Sequence, residues 1–505
     1  MYVMLVFDTE DVYYRSECGI DSIPGWLAEI MTDVGVTGTF FVMGEKVRSM
    51  LERGRKDVFR KMLKHDLASH QQGNRHPLIP EVLEGKSWDD GVAAMRKYED
   101  WVTEAFVEAF RREPVGFSRH NCYFGPQHLA VAGERGLPYA YQVASIPDSR
   151  QPMWYAGALT FAEHMFAGFD CIYSRDDVFE ARLKDLDRHI TKRLEENWEW
   201  QFVFACHPVR VMSRGWFEHY ALATGNTRTT QDLGWEYGLK PRAEEARAQA
   251  NFRRLCQYLK QHPDLQVVGI SEAARLFGAQ ATDITRDVLT HYAIEMAQKE
   301  VPLLHSTFSP AELACGLAES LLHLRDDGGL PEAVRRRNVL GPKERPVLAV
   351  EKDLVTGDEL TGLCRQMVEG VKKDGALPAN LAAGGARVGI SQFALLAARA
   401  YQAAARREEY ARLQVIESPR YPEIAWEFDR WIQRYIGEHW GMPLDFSCDR
   451  MAEHARLQTW TIKPAWQRLP QGPVCDGPKY GPRRPVRSPQ ASARPAARRG
   501  QARKA

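Results

Sequence analysis

The chain has 505 residues, enough for two or three domains of ordinary size. Its formal net charge of +1, with 44% hydrophobic and 26% charged residues, excludes a disordered or strongly basic chain, and no nucleic-acid partner is expected. Nine cysteines without a CxxC pair read as reduced thiols, and with no signal-like start and no apolar run near ~20 residues the expectation is a cytoplasmic protein without a membrane span.

A strand over 3–7 opens the chain and runs straight into three acids, Asp8, Glu10 and Asp11. Ser22 and Pro24 start a helix that carries Trp26, Leu27, Ile30 and Met31 on one face and should stop near Gly35. Residues 38–44 read as the second strand, 53–64 as a basic helix, and 66–69 as the third strand. A long helix covers 88–111, and strands at 115–118 and 139–143 flank a helix over 127–135. A helix over 178–196, a strand over 201–206, a helix over 244–260 and a strand over 266–270 follow, with Ser271 capping a last helix. This alternation predicts a parallel β/α barrel over residues 1–280. No GxGxxG follows the first strand, so the rival dinucleotide-binding sheet lacks its fingerprint.

From 281 to 469 the texture is mainly helical. Two passages, GGLPEAVRRRNVLGP (328–342) and GALPANLAAGGARVGISQF (375–393), share Gly-x-Leu-Pro before a turn-rich loop. They read either as two degenerate repeats or as helix-start loops with common turn chemistry. Residues 470–505, rich in Pro, Ala and Arg, read as a disordered tail.

In a parallel barrel the functional groups gather beyond the carboxyl ends of the strands. Here those ends carry Asp8, Glu10 and Asp11, then Ser69-His70-Gln71-Gln72-Gly73-Asn74-Arg75-His76-Pro77, then Ser118-Arg119-His120-Asn121, and late in the chain Cys206-His207-Pro208. Carboxylates, histidines and an arginine thus share one rim.

In this order the motifs resemble the polysaccharide deacetylases, the family four carbohydrate esterases. Their pattern is an acidic Phe-Asp-Asp stretch, His-x-x-x-His, Arg-x-Pro-Tyr, Asp-Trp and Leu-x-His. FDTED matches the subgroup with Asp-x-Glu, and the resemblance spans about residues 1–275. It implies an irregular, seven-stranded β/α barrel and a metal-dependent hydrolase of carbon–nitrogen bonds other than peptide bonds, deacetylating an N-acetylated sugar or polysaccharide. Asp8 would be the general base, Glu10 and His70 metal ligands, Arg119 the group that orients Asp8, and His207 the general acid. The implied cofactor is a divalent metal, zinc first, cobalt or nickel otherwise. A backbone N–H near Tyr123 would meet the oxyanion.

The sequence departs from the pattern in three places. Four residues after His70 stands Asn74, and His76 two residues later, before Pro77, is taken as the third ligand, with Asn74 the alternative. The segment Arg119–Tyr123 lacks the expected proline, and Asp148 and Trp154 match the Asp-Trp motif only loosely. Trp154 and Arg210 are candidate substrate contacts, and His120, His164 and His219 read as supporting or surface residues. Two alternatives stay open: an inactive barrel acting as a carbohydrate-binding or wall-associated protein, and an amidohydrolase on a small non-sugar amide. The helical region would bind cell-wall glycan, as a faint likeness to archaeal pseudomurein-binding repeats implies, or a protein partner.

Overall fold

The computed structural model describes residues 1–73, 77–120, 124–142, 145–146, 149–215, 238–409, 411–426, 428 and 449–470. Strand β1 (Tyr2–Thr9) is followed by α1 (Ile23–Val34), β2 (Gly38–Val42), α2 (Gly44–Glu52), α3 (Lys56–Met62) and β3 (Asp66–Ser69). Next come α4 (Ile79–Leu83), α5 (Trp88–Phe110), β4 (Phe117–Ser118), α6 (Pro126–Glu134) and β5 (Tyr139–Gln142). Three short strands, β6 (Met153–Tyr155), β7 (Ala158–Ala162) and β8 (Met165–Phe166), precede α7 (Asp176–Glu195) and β9 (Trp200–Cys206). Helix α8 (Pro208–Met212), α9 (Glu245–Gln261), β10 (Gln266–Val267) and α10 (Ile270–Phe277) complete this part.

The strands run in the order β6-β7-β5-β4-β3-β2-β1-β9-β8, with β10 beside the start of β1. Every neighbouring pair from β7 to β8 along that path is parallel, and β6 is antiparallel to β7. Strands β7 and β8 are consecutive, separated by Glu163 and His164 alone, so the sheet curls into an irregular barrel. The fold class expected from the sequence is therefore the one observed.

Alternation fixes which side chains enter the barrel. In β1, Val3, Leu5 and Phe7 pack outward against the helices, whereas Met4 and Val6 join an inner cluster with Phe41, Ala68, Ala140, Phe202 and Phe204. Both faces are covered, so residues 3–7 are fully buried, which is why β1 reads as a continuous apolar run. The same parity carries Asp8 and Glu10 inward. Helix α1 ends where the sequence places it, at Gly35 in the left-handed region (φ 75°), which a side chain would strain. Ser271 is not the cap of the last helix: it lies inside α10, and its N–H and Oγ both donate to Asp66 Oδ2 (2.8 and 2.7 Å). The hairpin β6–β7 and helix α2 were not foreseen.

The helical region has two units of one order. Strand β11 (Asp283–Thr285), α11 (Arg286–Lys299), α12 (Pro310–Asp327) and β12 (Ala333–Arg335) form the first. Strand β13 (Leu354–Thr356), α13 (Gly357–Asp374), the hairpin β14 (Asn380–Ala383) and β15 (Ala386–Gly389), α14 (Ile390–Ala405) and β16 (Arg412–Gln414) form the second. In each, the outer strands pair antiparallel and the helices share one apolar cluster. Gly328 closes the second helix of its unit and Gly375 the first of the other, so the two Gly-x-Leu-Pro passages occupy non-equivalent places. Finally α15 (Asp449–Leu457) and β17 (Lys463–Pro464) return to the barrel, where β17 pairs antiparallel with β6. Among the described residues no helix is long and apolar enough to cross a membrane. The 470–505 tail lies beyond the described residues except at Pro470.

Candidate active site

Asp8 and Glu10 extend the inward parity of Met4 and Val6, and His70 extends that of Ala68 on β3. On β4, Phe117 packs outward, Ser118 faces His70, and His120 has the parity of Ser118. His207 follows β9. These groups meet beyond the carboxyl ends of the strands.

His70 Nδ1 lies 2.7 Å from Ser118 Oγ, and that hydroxyl donates its single proton to Ser69 O (3.0 Å). Ser118 must therefore accept from Nδ1–H, which leaves the lone pair on His70 Nε2. Burial first, then His120, His207 and Arg119, hold His70 well below the usual histidine range, so the ring is neutral. Its Nε2 faces Asp8 Oδ2 at 3.7 Å and Glu10 Oε2 at 4.0 Å. Glu10 is buried, and among the described residues neither of its carboxylate oxygens accepts a hydrogen bond. His120 Nε2 lies 2.9 Å from Glu10 Oε2, and the rings of His70 and His120 meet edge-on at 4.9 Å.

Ligand atoms of Glu10, His70 and His120 all fall within 4.8 Å of one another. A buried carboxylate that faces a neutral imidazole lone pair and has a second imidazole nitrogen at 2.9 Å is an arrangement that a cation completes. One carboxylate with two imidazoles is also a donor set that suits zinc. The residues therefore fit a divalent metal.

Asp8 stands beside this group. Burial pushes its carboxyl up to about 8, with Glu10 adding and His207 and the Tyr141 hydrogen bond opposing. Tyr141 Oη donates to Asp8 Oδ1 at 3.1 Å. His207 behaves in the opposite way: burial alone would lower it, but Asp170, Glu10 and Asp8 carry it up to about 9. Asp170 accepts twice from His207, from its backbone N–H at 2.8 Å and from Nδ1–H at 2.7 Å. The Nε2–H end then points to Glu10 Oε1 (3.3 Å) and Asp8 Oδ2 (4.0 Å).

Asp8, Glu10, His70 and His207 converge. Arg119 is at the rim, but its guanidinium binds Tyr141 O (Nε, 2.8 Å) and the Glu163 carboxylate, while the hydrogen bond to Asp8 comes from Tyr141. His76, Asn74, Tyr123, Asp148 and His219 lie outside the described residues. Trp154 is not at the rim: it pairs with Leu159 near the start of β7 and with Lys463, at the opposite end of the strands. Arg210, on α8, donates to Arg214 O at 2.6 Å. His164 packs against Trp198 and Trp200.

Sequence reasoning gave His120 a supporting role and passed over Asp170, Tyr141 and Glu163. The parity of His120 with Ser118 was the available signal. Asp170 sits in the loop after β8, a strand too short to be read from the sequence.

No protein-family model matches the chain, and no curated protein matches it. Solved structures that align with part of it include the probable polysaccharide deacetylase of Pseudomonas aeruginosa PAO1 (12% identity, 54% of this chain and 89% of that one, TM-score 0.36). PuuE allantoinase aligns at 13% identity over 54% of this chain and 89% of that one, with a TM-score of 0.34. A family 4 acetyl xylan esterase from Clostridium thermocellum with a cobalt ion aligns at 10% identity over 55% and 93%, with a TM-score of 0.27.

Proposed function

We propose that this chain is a metal-dependent hydrolase of a carbon–nitrogen amide bond, deacetylating an N-acetylated sugar, with Glu10, His70 and His120 holding the metal. The observation that carries this reading is the buried carboxylate of Glu10 met by the ring nitrogens of His70 (4.0 Å), His120 (2.9 Å) and His207 (3.3 Å), beside a second carboxyl, Asp8. A divalent cation there would supply Lewis acidity, acidifying water and polarising an amide carbonyl, and its charge would favour the ionised form of Asp8.

The chain's own groups do the proton work. In its ionised form, Asp8 takes the proton of the attacking water on Oδ2 as the new C–O bond forms. His207 Nε2 gives its proton to the amine nitrogen as the C–N bond breaks, so a free amine and acetic acid leave, the acid passing its proton to solvent as acetate. The proton then passes from Asp8 to His207 through solvent. Asp170 keeps Nδ1 bonded, which fixes the exchangeable proton at Nε2. Residues 1–280 are taken as the catalytic part, and 281–469 as an adjunct that binds glycan or a protein.

The test is metal analysis of the purified protein together with acetate release from N-acetylglucosamine, its β-1,4 oligomers and acetanilide. The expected result is about one divalent ion per chain, lost in His70→Ala and His120→Ala and kept in His76→Ala, with acetate released from at least one sugar. Retention of the ion in His120→Ala and its loss in His76→Ala would overturn the ligand set. A metal-free, inactive wild type would overturn the enzyme reading.

A further inference from the structure

Strand β5 breaks its own alternation next to the site. Tyr139 packs outward and Ala140 inward, so Tyr141 should turn outward. It does not: it belongs to the inner cluster and is 3% exposed. The register of β5 against β7 shifts between Ala140 and Gln142, and Tyr141 adopts φ 62°, the left-handed region. For a bulky residue that conformation costs on the order of 1–2 kcal/mol, and it persists only where the surroundings enforce it.

Those surroundings are specific. Arg119 Nε donates to Tyr141 O at 2.8 Å, and the guanidinium is held in turn by Glu163. Glu163 N donates to Gln142 O at 3.1 Å, which closes β7 onto the far side of the bulge. The ring is set edge-on against Phe41 (5.0 Å between centroids) and Phe202 (5.4 Å). The outcome is one polar contact, the phenol proton donated to Asp8 Oδ1.

We propose that Tyr141 is the positioning residue of Asp8, held in a strained bulge by Arg119 and Glu163 so that its hydroxyl pins Oδ1 and leaves Oδ2 turned to the site. Oδ2 is the oxygen near His70 Nε2 and His207 Nε2, so the pinned rotamer presents its lone pairs where the water proton is lost. Without the phenol, the carboxylate is free to rotate about its Cβ–Cγ bond, and the base spends less time aligned. A purely structural tyrosine would need only the ring, and phenylalanine fills the same space.

This inference rests on Asp8 being the base of the proposed amide hydrolysis, so the experiment carries Asp8→Asn beside Tyr141→Phe. Acetate release from N-acetylglucosamine oligomers and acetanilide, metal content and melting temperature are measured for both variants and for wild type. In Tyr141→Phe, kcat is expected to fall about 10- to 100-fold, with KM within about twofold and metal content and melting temperature unchanged. Wild-type kcat in Tyr141→Phe, alongside an inactive Asp8→Asn, would overturn the positioning role alone. Lost metal or a lowered melting temperature in Tyr141→Phe would also overturn it, by making the hydroxyl a support of the fold. An active Asp8→Asn, or an inactive wild type, would remove the underlying reading and this inference with it.

Discussion

Three acids crowd the end of the first strand, and their roles are separated by where each carboxylate points. Asp8 and Glu10 enter the barrel by parity, while Asp11 turns back on its own loop. Its Oδ1 accepts from the N–H groups of Tyr13 (3.1 Å) and Tyr14 (3.4 Å), and Lys46 Nζ binds its carbonyl at 2.7 Å. Asp11 is thus a loop cap, although burial pushes its carboxyl up to about 6. At the same scale, the proposed acid depends on a carboxylate. Asp170→Asn keeps an acceptor for the His207 backbone but removes the charge that holds the imidazole protonated. Steady-state kinetics should give kcat lower by about 10- to 100-fold with an unchanged melting temperature; an unchanged kcat would remove Asp170 from the mechanism. His120 was within reach of the sequence, since Phe117 outward and Ser118 inward imply that residue 120 points in. The bulge at Tyr141 was not, because nothing in YAYQ marks a left-handed residue.

At the scale of elements, strands buried on both faces were legible, and those at the sheet margin were not. Strand β3 was predicted to the residue, whereas β6 and β8, of three and two residues, carry too little pattern to stand out. The margin is closed by a returning segment. The tight turn between β6 and β7 includes Ala156 at φ 48°, whose buried N–H donates to Thr461 Oγ1 at 2.7 Å. That hydroxyl donates onward to Gln458 O at 2.6 Å, and β17 then pairs with β6. Such pairing covers a sheet edge that would otherwise be open. Thr461→Val leaves the Ala156 N–H buried without an acceptor. Urea unfolding should show a loss of about 1–3 kcal/mol, and a loss well below that would mean that water replaces the threonine.

Across the whole molecule, two buried histidines far from the site couple stability to pH. His305 Nδ1 accepts from the N–H groups of Thr307 (3.0 Å) and Phe308 (3.3 Å), and His454 Nδ1 accepts from Gln127 Nε2 (2.7 Å). Both rings are therefore neutral, and burial pushes each down to about 4. The unfolded chain takes up these protons near pH 6.5, and the folded chain resists until about 4. Stability is thus full above pH 6.5 and falls as the pH drops through that window, by up to roughly 3 kcal/mol for each histidine. Urea midpoints at pH 7 and pH 4.5 test this, and equal midpoints would contradict it. His454 joins α15 to α6 of the barrel, so acid should loosen the returning segment early.

By itself the sequence determined the parallel barrel, its longer strands as they follow along the chain, and the placing of Asp8, Glu10 and His70 at the ends of strands. Each of these follows from local periodicity, because covered strands must alternate their faces. The tertiary structure brought His120 against Glu10 and the Tyr141 hydroxyl onto Asp8, and it decided how α15 and β17 close the sheet. Those outcomes depend on contacts between residues far apart in the chain, and on a bulge held by Arg119 from just past the end of β4. No local pattern encodes such contacts, because their energy exists only once the strands lie side by side.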